Sequence, residues 1–186
     1  MLFLVSVLAY CVTIGFASPL QLRAAPDNTV LIRSETEYCM IMPRQPHTNI
    51  GDSESDGQMQ AFCSALAQSN LSQGVFPDSF WHSVTFASGT GQSGQPYVQL
   101  TGCINPGFSQ LNDGDGGGQY DSSGGDGGQG NPQGSACEGY NHYVELVEPD
   151  VGRACIRCCN DYNDCPLDRD TAGCPNVIQG NYSGCE

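Results

Sequence analysis

The sequence predicts a β-rich fold: a small sandwich or barrel with one short helix, stabilised by disulfides. Two observations lead to this fold class. Short apolar runs are separated by turn residues along the chain, which contains 24 glycines and 11 prolines. The chain also has 11 cysteines among 186 residues, a density typical of small proteins from oxidising compartments. Short strands, frequent turns and dense cysteines together favour a mainly β architecture.

The chain opens with an apolar segment of signal-peptide length. Residues 2–16 are nearly all apolar, and this run is shorter than the roughly 20 residues that a membrane-spanning helix needs. Gly15 and Ala17 supply the small side chains expected before a cleavage site. We therefore predict a signal peptide over residues 1–17 and a secreted protein, a membrane anchor being the disfavoured alternative.

The segment after the predicted cleavage site carries little structural signal. Residues 18–35 show no clear hydrophobic period and contain Pro19 and Pro26. They are predicted to form a loose N-terminal arm or a propeptide. Residues 36–186 are predicted to form a single cysteine-rich domain.

The first elements of that domain are a strand and a helix. Residues 38–42 form a short apolar run that Pro43 ends, which predicts a buried strand. A short helix is predicted over residues 55–68, because acidic residues precede apolar ones at helical spacing. These apolar residues are Met59, Phe62, Cys63 and Leu66.

Two pairs of strands are predicted in the second half of the chain. Residues 80–87 and 96–103 flank a turn rich in glycine and serine. Residues 140–148 alternate in the manner of a strand, and the turn "EPDVG" joins them to residues 153–159 as a hairpin.

The cysteines predict five disulfides. Cys11 lies in the leader, so an even number remains in the mature chain, but spacing does not select the pairing. Cys158 and Cys159 are adjacent and point to opposite sides of a strand, so each should have its own partner. The cysteines predicted to pair are Cys39, Cys63, Cys103, Cys137, Cys155, Cys158, Cys159, Cys165, Cys174 and Cys185.

The charge of the chain disfavours two classes of partner. The formal net charge is −14, and all 6 basic residues are arginines. An electrostatic field of this sign repels nucleic acid and anionic membrane surfaces. The remaining partner classes are an extracellular glycan or an extracellular protein.

The segment 112–135, "NDGDGGGQYDSSGGDGGQGNPQGS", is the most unusual stretch. It cannot be a P-loop, because the chain has no lysine to reach a phosphate. A mobile solvated loop is the favoured interpretation, and no cofactor is expected. Calcium is the alternative, because aspartates supply hard oxygen ligands and glycines allow tight turns. The candidate calcium ligands are Asp113, Asp115, Asp121 and Asp126.

No motif predicts catalysis. The chain has no G-x-S-x-G elbow, its three histidines lie far apart, and no Asp/Glu pair can be selected from 20 acidic residues. Enzymatic activity is therefore uncertain and disfavoured. Aromatic side chains either pack in the core or stack on sugar rings. The aromatic residues concerned are Trp81, Tyr97, Phe108, Tyr120, Tyr140, Tyr143, Tyr162 and Tyr182.

Two N-glycosylation sequons are consistent with a secreted glycoprotein. They begin at Asn70 and Asn181, each followed by a serine two residues later.

Five sequence islands follow one another in order along the chain. They are "YCMIMP" (38–43), "GGGQYD" (116–121), "CEGYNHYVELVEP" (137–149), "CIRCCN" (155–160) and "DTAGC" (170–174). Together they resemble a group of small secreted cysteine-rich fungal proteins of unassigned function. This resemblance implies a fungal protein and an ordered element at residues 116–121, with mobile sequence starting at about 122. It implies no activity.

These observations lead to a ranked functional prediction. The first choice is a secreted structural or binding protein of the extracellular space or cell wall. The alternative is a hydrolase of cell-wall polysaccharide that uses an Asp/Glu pair as acid and base. A calcium-dependent adhesion module is the weaker alternative.

Overall fold

The computed structural model describes residues 28–55 and 57–185. The predicted signal peptide and residues 18–27 lie outside this range. The described chain is β-rich and contains two five-stranded sheets, which confirms the predicted disulfide-stabilised sandwich.

The first sheet, sheet I, brings together strands from the N-terminal half and one later strand. Neighbouring strands are antiparallel except for the parallel pairs β3–β4 and β1–β8. In spatial order its strands are β4 (Gly74–Val75), β3 (Met59–Cys63), β2 (Tyr38–Pro43), β1 (Thr29–Ile32) and β8 (Ala136–Cys137).

The second sheet, sheet II, is entirely antiparallel. It contains both predicted strand pairs, which are joined because β6 and β10 are direct neighbours. In spatial order its strands are β5 (Trp81–Thr90), β6 (Pro96–Ile104), β10 (Arg153–Cys159), β9 (His142–Glu148) and β7 (Gly118–Asp121).

Apart from its edge strand β5, sheet II is buried on both faces. Met40 of β2 packs in one apolar cluster with Leu100 and Ile156 of sheet II, and this cluster is the core of the sandwich. On the opposite face of sheet II, Val144 and Leu146 pack in a second, smaller cluster. Complete burial of such a side chain stabilises a fold by about 1.5–3 kcal/mol. The second cluster therefore adds buried apolar surface on the outer face of sheet II.

The N-terminal arm prediction is wrong for residues 29–32. Thr29–Ile32 forms strand β1, which lies between β2 and β8 in sheet I. Val30 is fully buried. The segment has no alternating pattern because three of its four residues are buried, and such strands read as continuous apolar runs. Cleavage of a signal peptide over residues 1–17 stays a prediction.

The helix prediction for residues 55–68 is wrong. Met59–Cys63 forms strand β3, in which Cys63 lies directly opposite Cys39 of β2. Leu66, which completed the helical pattern, is 74% exposed. A short apolar run fits either period, and here it pairs with β2, where the disulfide joins the directly opposed Cys39 and Cys63. The described α-helix is instead α1 (Cys174–Val177).

The short α1 is packed against sheet II. Its residues Cys174 and Val177 belong to the second apolar cluster. The remaining helical segments of the described residues are short 3-10 turns at Gly51–Ser53, Asp126–Gly128, Pro149–Val151 and Tyr162–Asp164. Within residues 28–55 and 57–185, no helix is long and apolar enough to cross a membrane.

The segment 112–135 is folded against sheet II, so the mobile-loop prediction is wrong for Gly118–Asp121. These residues form strand β7, which pairs with β9. Tyr120 is fully buried and its hydroxyl lies 2.7 Å from Ser53 Oγ. Asp121 and Asn131 then pair through two backbone hydrogen bonds of 2.9 and 2.8 Å, which close the segment that follows.

The five predicted disulfides are confirmed. Cys158 faces the core and bonds Cys137 of sheet I, whereas Cys159 faces the second cluster and bonds Cys165. The two adjacent cysteines therefore have separate partners, as predicted. The pairs are Cys39–Cys63, Cys103–Cys185, Cys137–Cys158, Cys155–Cys174 and Cys159–Cys165.

Candidate functional site

A groove of about 530 Å³ opens beside the first residues of β5. Its walls combine aromatic and aliphatic side chains with a polar rim, and we call it the aromatic groove. Such a combination is typical of ligand sites, in which apolar surface gives affinity and a few polar groups fix orientation. Its apolar lining includes Tyr38, Leu66, Phe76 and Trp81, and its polar lining includes Glu35, Thr36, Ser64, Asp78 and His82.

Trp81 is held in the aromatic groove by other rings and by an irregularity in β5. Its ring lies 6.1 Å from that of Tyr38 and 5.1 Å from that of Phe80, both in edge-on geometry. The register of β5 against β6 shifts between Trp81 and Ser83. A bulge of this kind redirects side chains. It leaves His82 exposed beside the half-buried indole.

The phenol of Tyr38 is buried beside the polar rim of the aromatic groove. Burial raises the pKa of Tyr38, and the negative charge of Asp78 acts in the same direction. Tyr38 is therefore a neutral hydrogen-bonding group at physiological pH. The carboxylate of Glu35, also in the groove, accepts a hydrogen bond of 3.1 Å from the Phe86 backbone N–H.

A second cavity, of about 600 Å³, opens between β7 and the loop that precedes α1. Carboxylates and glycines dominate its lining, and we call it the acidic cleft. Its lining residues contain no aromatic side chain. The acidic cleft is lined by Glu54, Gly116, Gly117, Gly118, Gln119, Asp121, Gly124, Gly125, Asn131, Leu146, Glu148, Leu167, Asp170, Thr171 and Gly173.

Asp121 organises one wall of the acidic cleft. Its carboxylate accepts hydrogen bonds from the backbone N–H groups of Ser123, at 2.8 Å, and of Gly124. It also accepts one of 3.1 Å from Gln119 Nε2. A Cβ at residue 124 would lie 2.5 Å from Asp121 Oδ2, so this close approach requires glycine. The aspartate thus fixes the turn that follows β7.

Glu54 lies at the exposed rim of the acidic cleft. Partial desolvation raises the pKa of its carboxyl, and the charges of Asp170 and Asp121 raise it further. A hydrogen bond with Asn131 acts in the opposite direction. Three carboxyl groups from distant parts of the sequence therefore repel one another across this cleft.

Glu148 closes the inner end of the acidic cleft and has a structural role. Its Oε1 lies 3.2 Å from Arg153 Nη2, and its Oε2 accepts a 2.9 Å hydrogen bond from the Cys174 backbone N–H. The second contact fixes the start of α1. Glu145 faces the other side of β9, toward the core, where it accepts a hydrogen bond from the Ile41 backbone N–H.

No protein-family model, curated protein or solved structure matches this chain. The resemblance to secreted fungal proteins therefore stays a prediction. Function has to be inferred from the two cavities themselves.

Three of the four predicted calcium ligands have described side chains, and these three form no metal-binding group. The carboxylates of Asp113, Asp115 and Asp121 each accept a hydrogen bond from a backbone N–H, at 2.8, 2.6 and 2.8 Å respectively. The side chain of Asp126 lies outside the described residues. Among residues 28–55 and 57–185, no group of three or more His, Cys, Asp or Glu side chains is placed to hold a metal ion.

The structure places most of the eight predicted aromatic residues in or against the two apolar clusters. Tyr140, Tyr97 and Tyr182 pack partly buried against these clusters, and Tyr162 is exposed. Tyr120 and Tyr143 are fully buried and Phe108 is nearly so, so these pack in the core. Trp81 alone of the predicted aromatics lines the aromatic groove. Sequence analysis proposed Asp121 as a ligand but missed the other members of the acidic cleft, because they come from separate segments and follow no motif.

The two sequons differ in their surroundings. The Asn181 side chain is exposed, and its Oδ1 accepts a 3.1 Å hydrogen bond from the Ser183 backbone N–H. Asn70 is half-buried, and its Nδ2 is enclosed without a hydrogen-bond partner. Glycosylation of either residue stays a prediction.

Proposed function

We propose that the protein is a secreted binding protein of the extracellular space or cell wall, and that the aromatic groove holds an extracellular glycan. The observation that carries this proposal is the position of the Trp81 indole in a concave site with Asp78 and His82. Sugar rings present apolar C–H faces and polar hydroxyls. An aromatic face with hydrogen-bonding groups beside it is complementary to both.

A pelleting assay tests this proposal. The full chain is secreted with its own leader, mixed with insoluble chitin, β-glucan or cellulose, and measured in the supernatant. We expect depletion by at least one polysaccharide and a marked loss of depletion in Trp81→Ala. Tyr162→Ala is the matched control, because Tyr162 is 51% exposed and lies outside the groove.

A second variant separates loss of the site from loss of the fold. Trp81 contacts neighbouring rings, so Trp81→Ala must be compared with the original chain by thermal unfolding. His82→Ala removes an exposed rim group and should weaken binding without a change in stability. Equal depletion of all three variants and the original chain would overturn the proposal, as would the absence of depletion by every polysaccharide. In the latter case an extracellular protein becomes the partner to seek.

The hydrolase alternative is favoured by one observation in the acidic cleft. Glu54 has a raised pKa, whereas Asp121 is surrounded by hydrogen-bond donors, and contrasting environments of this kind distinguish an acid from a base. Release of reducing sugar into the same supernatants, abolished in Glu54→Gln, would support this alternative. Depletion that requires calcium and is lost in chelator would support the adhesion module.

A further inference from the structure

The acidic cleft brings together carboxylates that are far apart in sequence. Glu54 follows a 3-10 turn, Asp121 ends β7, Glu148 ends β9, and Asp170 lies in the loop before α1. No basic side chain is among the lining residues. Arg153 pairs with Glu148 at its inner end and leaves the other three carboxyl groups without a cationic partner in the cleft.

A second observation points to a ligand with hydrogen-bond donors. Gln119 lines the acidic cleft and is 5% exposed, and its Oε1 is buried without a hydrogen-bond partner. Its Nε2 donates to Asp121 Oδ2 at 3.1 Å and to the Leu167 backbone oxygen at 3.2 Å, so the amide cannot turn round without losing both bonds. A buried acceptor without a hydrogen bond has lost its hydration and is unfavourable. A donor supplied by a ligand would satisfy that acceptor.

The volume of the cleft and the separation of its carboxylates favour an extended ligand. The described carboxylates are too dispersed to hold a metal ion as a group of three. The cavity measures about 600 Å³, and six of its lining residues are glycines, which leave room for a chain to lie against the backbone. Several positive charges spaced along one molecule fit this arrangement better than one compact ion does.

We propose that the acidic cleft binds an extended organic cation that carries several ammonium groups. Two kinds of molecule supply this chemistry outside a cell: an aliphatic polyamine and an oligomer of deacetylated amino sugar. In either case the ammonium groups donate hydrogen bonds to the carboxylates of Glu54, Asp121 and Asp170. Bonds of this kind are charge-assisted and stronger than neutral ones.

Calorimetric titration of the full secreted chain tests this proposal. The two probes are spermine and a glucosamine tetramer, each at low ionic strength. We expect saturable binding of at least one probe, weakened about tenfold or more in Asp170→Asn and in Glu54→Gln. Asp168→Asn is the matched control, because it removes the same charge from an exposed residue that does not line the cleft.

Each result of the titration supports or overturns the proposed cation site. Binding of spermine alone identifies a polyamine site, and binding of the tetramer alone identifies an amino-sugar site. Equal weakening by Asp168→Asn and Asp170→Asn would show nonspecific attraction to a chain of net charge −14, which overturns the proposal. Absence of binding by both probes also overturns it. Displacement of both probes by millimolar calcium, with the same probe affinity in every variant, would overturn it too. Trp81→Ala should leave this titration unchanged, which separates the result from the function proposed for the aromatic groove.

Discussion

The Ile41 backbone N–H donates a hydrogen bond of 2.9 Å to Glu145 Oε2 across the interface between the two sheets. Glu145 is fully buried in the sandwich, and its Oε1 has no hydrogen-bond partner. Burial raises the pKa of this carboxyl well above its usual range, because a charge there would lose its hydration. The residue therefore keeps its proton in the folded state at pH values where an unfolded chain releases it.

This contact predicts a pH dependence of stability. Above the usual glutamate pKa of about 4.3, the folded chain binds one more proton than the unfolded chain, so the free energy of unfolding falls as pH rises. The slope from this residue is about 1.4 kcal/mol per pH unit until the folded-state pKa is reached. Glu145→Gln should remove this contribution and be the more stable protein at neutral pH. Urea unfolding at several pH values measures the difference.

Glu138→Gln is the control for that experiment. Glu138 is an exposed glutamate, so Glu138→Gln removes a carboxyl of the same type from the surface and not from the core. If Glu145→Gln and the original chain lose stability in parallel as pH rises, the buried carboxyl does not retain its proton.

The strands and the acidic cleft differ in how far the sequence predicts them. Hydrophobic periods and turn residues correctly predicted β5, β6, β9 and β10 of sheet II, since each is long enough to carry a pattern. The four-residue β7 of the same sheet was not predicted from them. Thr29–Ile32 was missed because it is a short, largely buried strand in sheet I. The acidic cleft was missed for a different reason: Glu54, Asp121 and Asp170 meet only when β7 pairs with β9 and the C-terminal loop folds over them.

Two glycines of the segment 112–135 should differ in how much their replacement by alanine lowers stability. Gly117 has φ of +92°, and a Cβ there would lie 2.1 Å from the Val147 backbone oxygen. Gly117→Ala should lower the free energy of unfolding by about 1–3 kcal/mol, because the backbone conformation is strained for alanine and the strand β9 must shift. Gly114→Ala meets no atom within 4 Å and should change stability by less than about 0.5 kcal/mol. Equal unfolding midpoints of the two variants in guanidinium would show that the segment is not ordered at Gly117.

The disulfides should differ in their resistance to reduction. Cys185 is half-exposed, whereas Cys103 and the other disulfide cysteines are buried. Thiol exchange requires access to a sulfur, so a mild reductant should open Cys103–Cys185 first. Alkylation followed by mass spectrometry should find label at these two cysteines before any other. Early label at Cys137 and Cys158, which join the two sheets, would contradict the expected order.

The contacts of Arg157 predict that its replacement by lysine will destabilise the fold. Its Nε and Nη2 both donate to Gln99 Oε1, at 2.9 and 2.6 Å, and its Nη1 donates to the Asp164 backbone oxygen at 3.1 Å. The guanidinium also lies 4.6 Å from the centre of the Tyr97 ring. Lysine keeps the charge but cannot reproduce the planar fork, so Arg157→Lys should lower the free energy of unfolding by about 1–3 kcal/mol. Arg169→Lys, at an exposed position, should change it by less than about 0.5 kcal/mol. Equal thermal midpoints for the two variants would mean that charge alone, and not the geometry of the guanidinium, stabilises this part of sheet II.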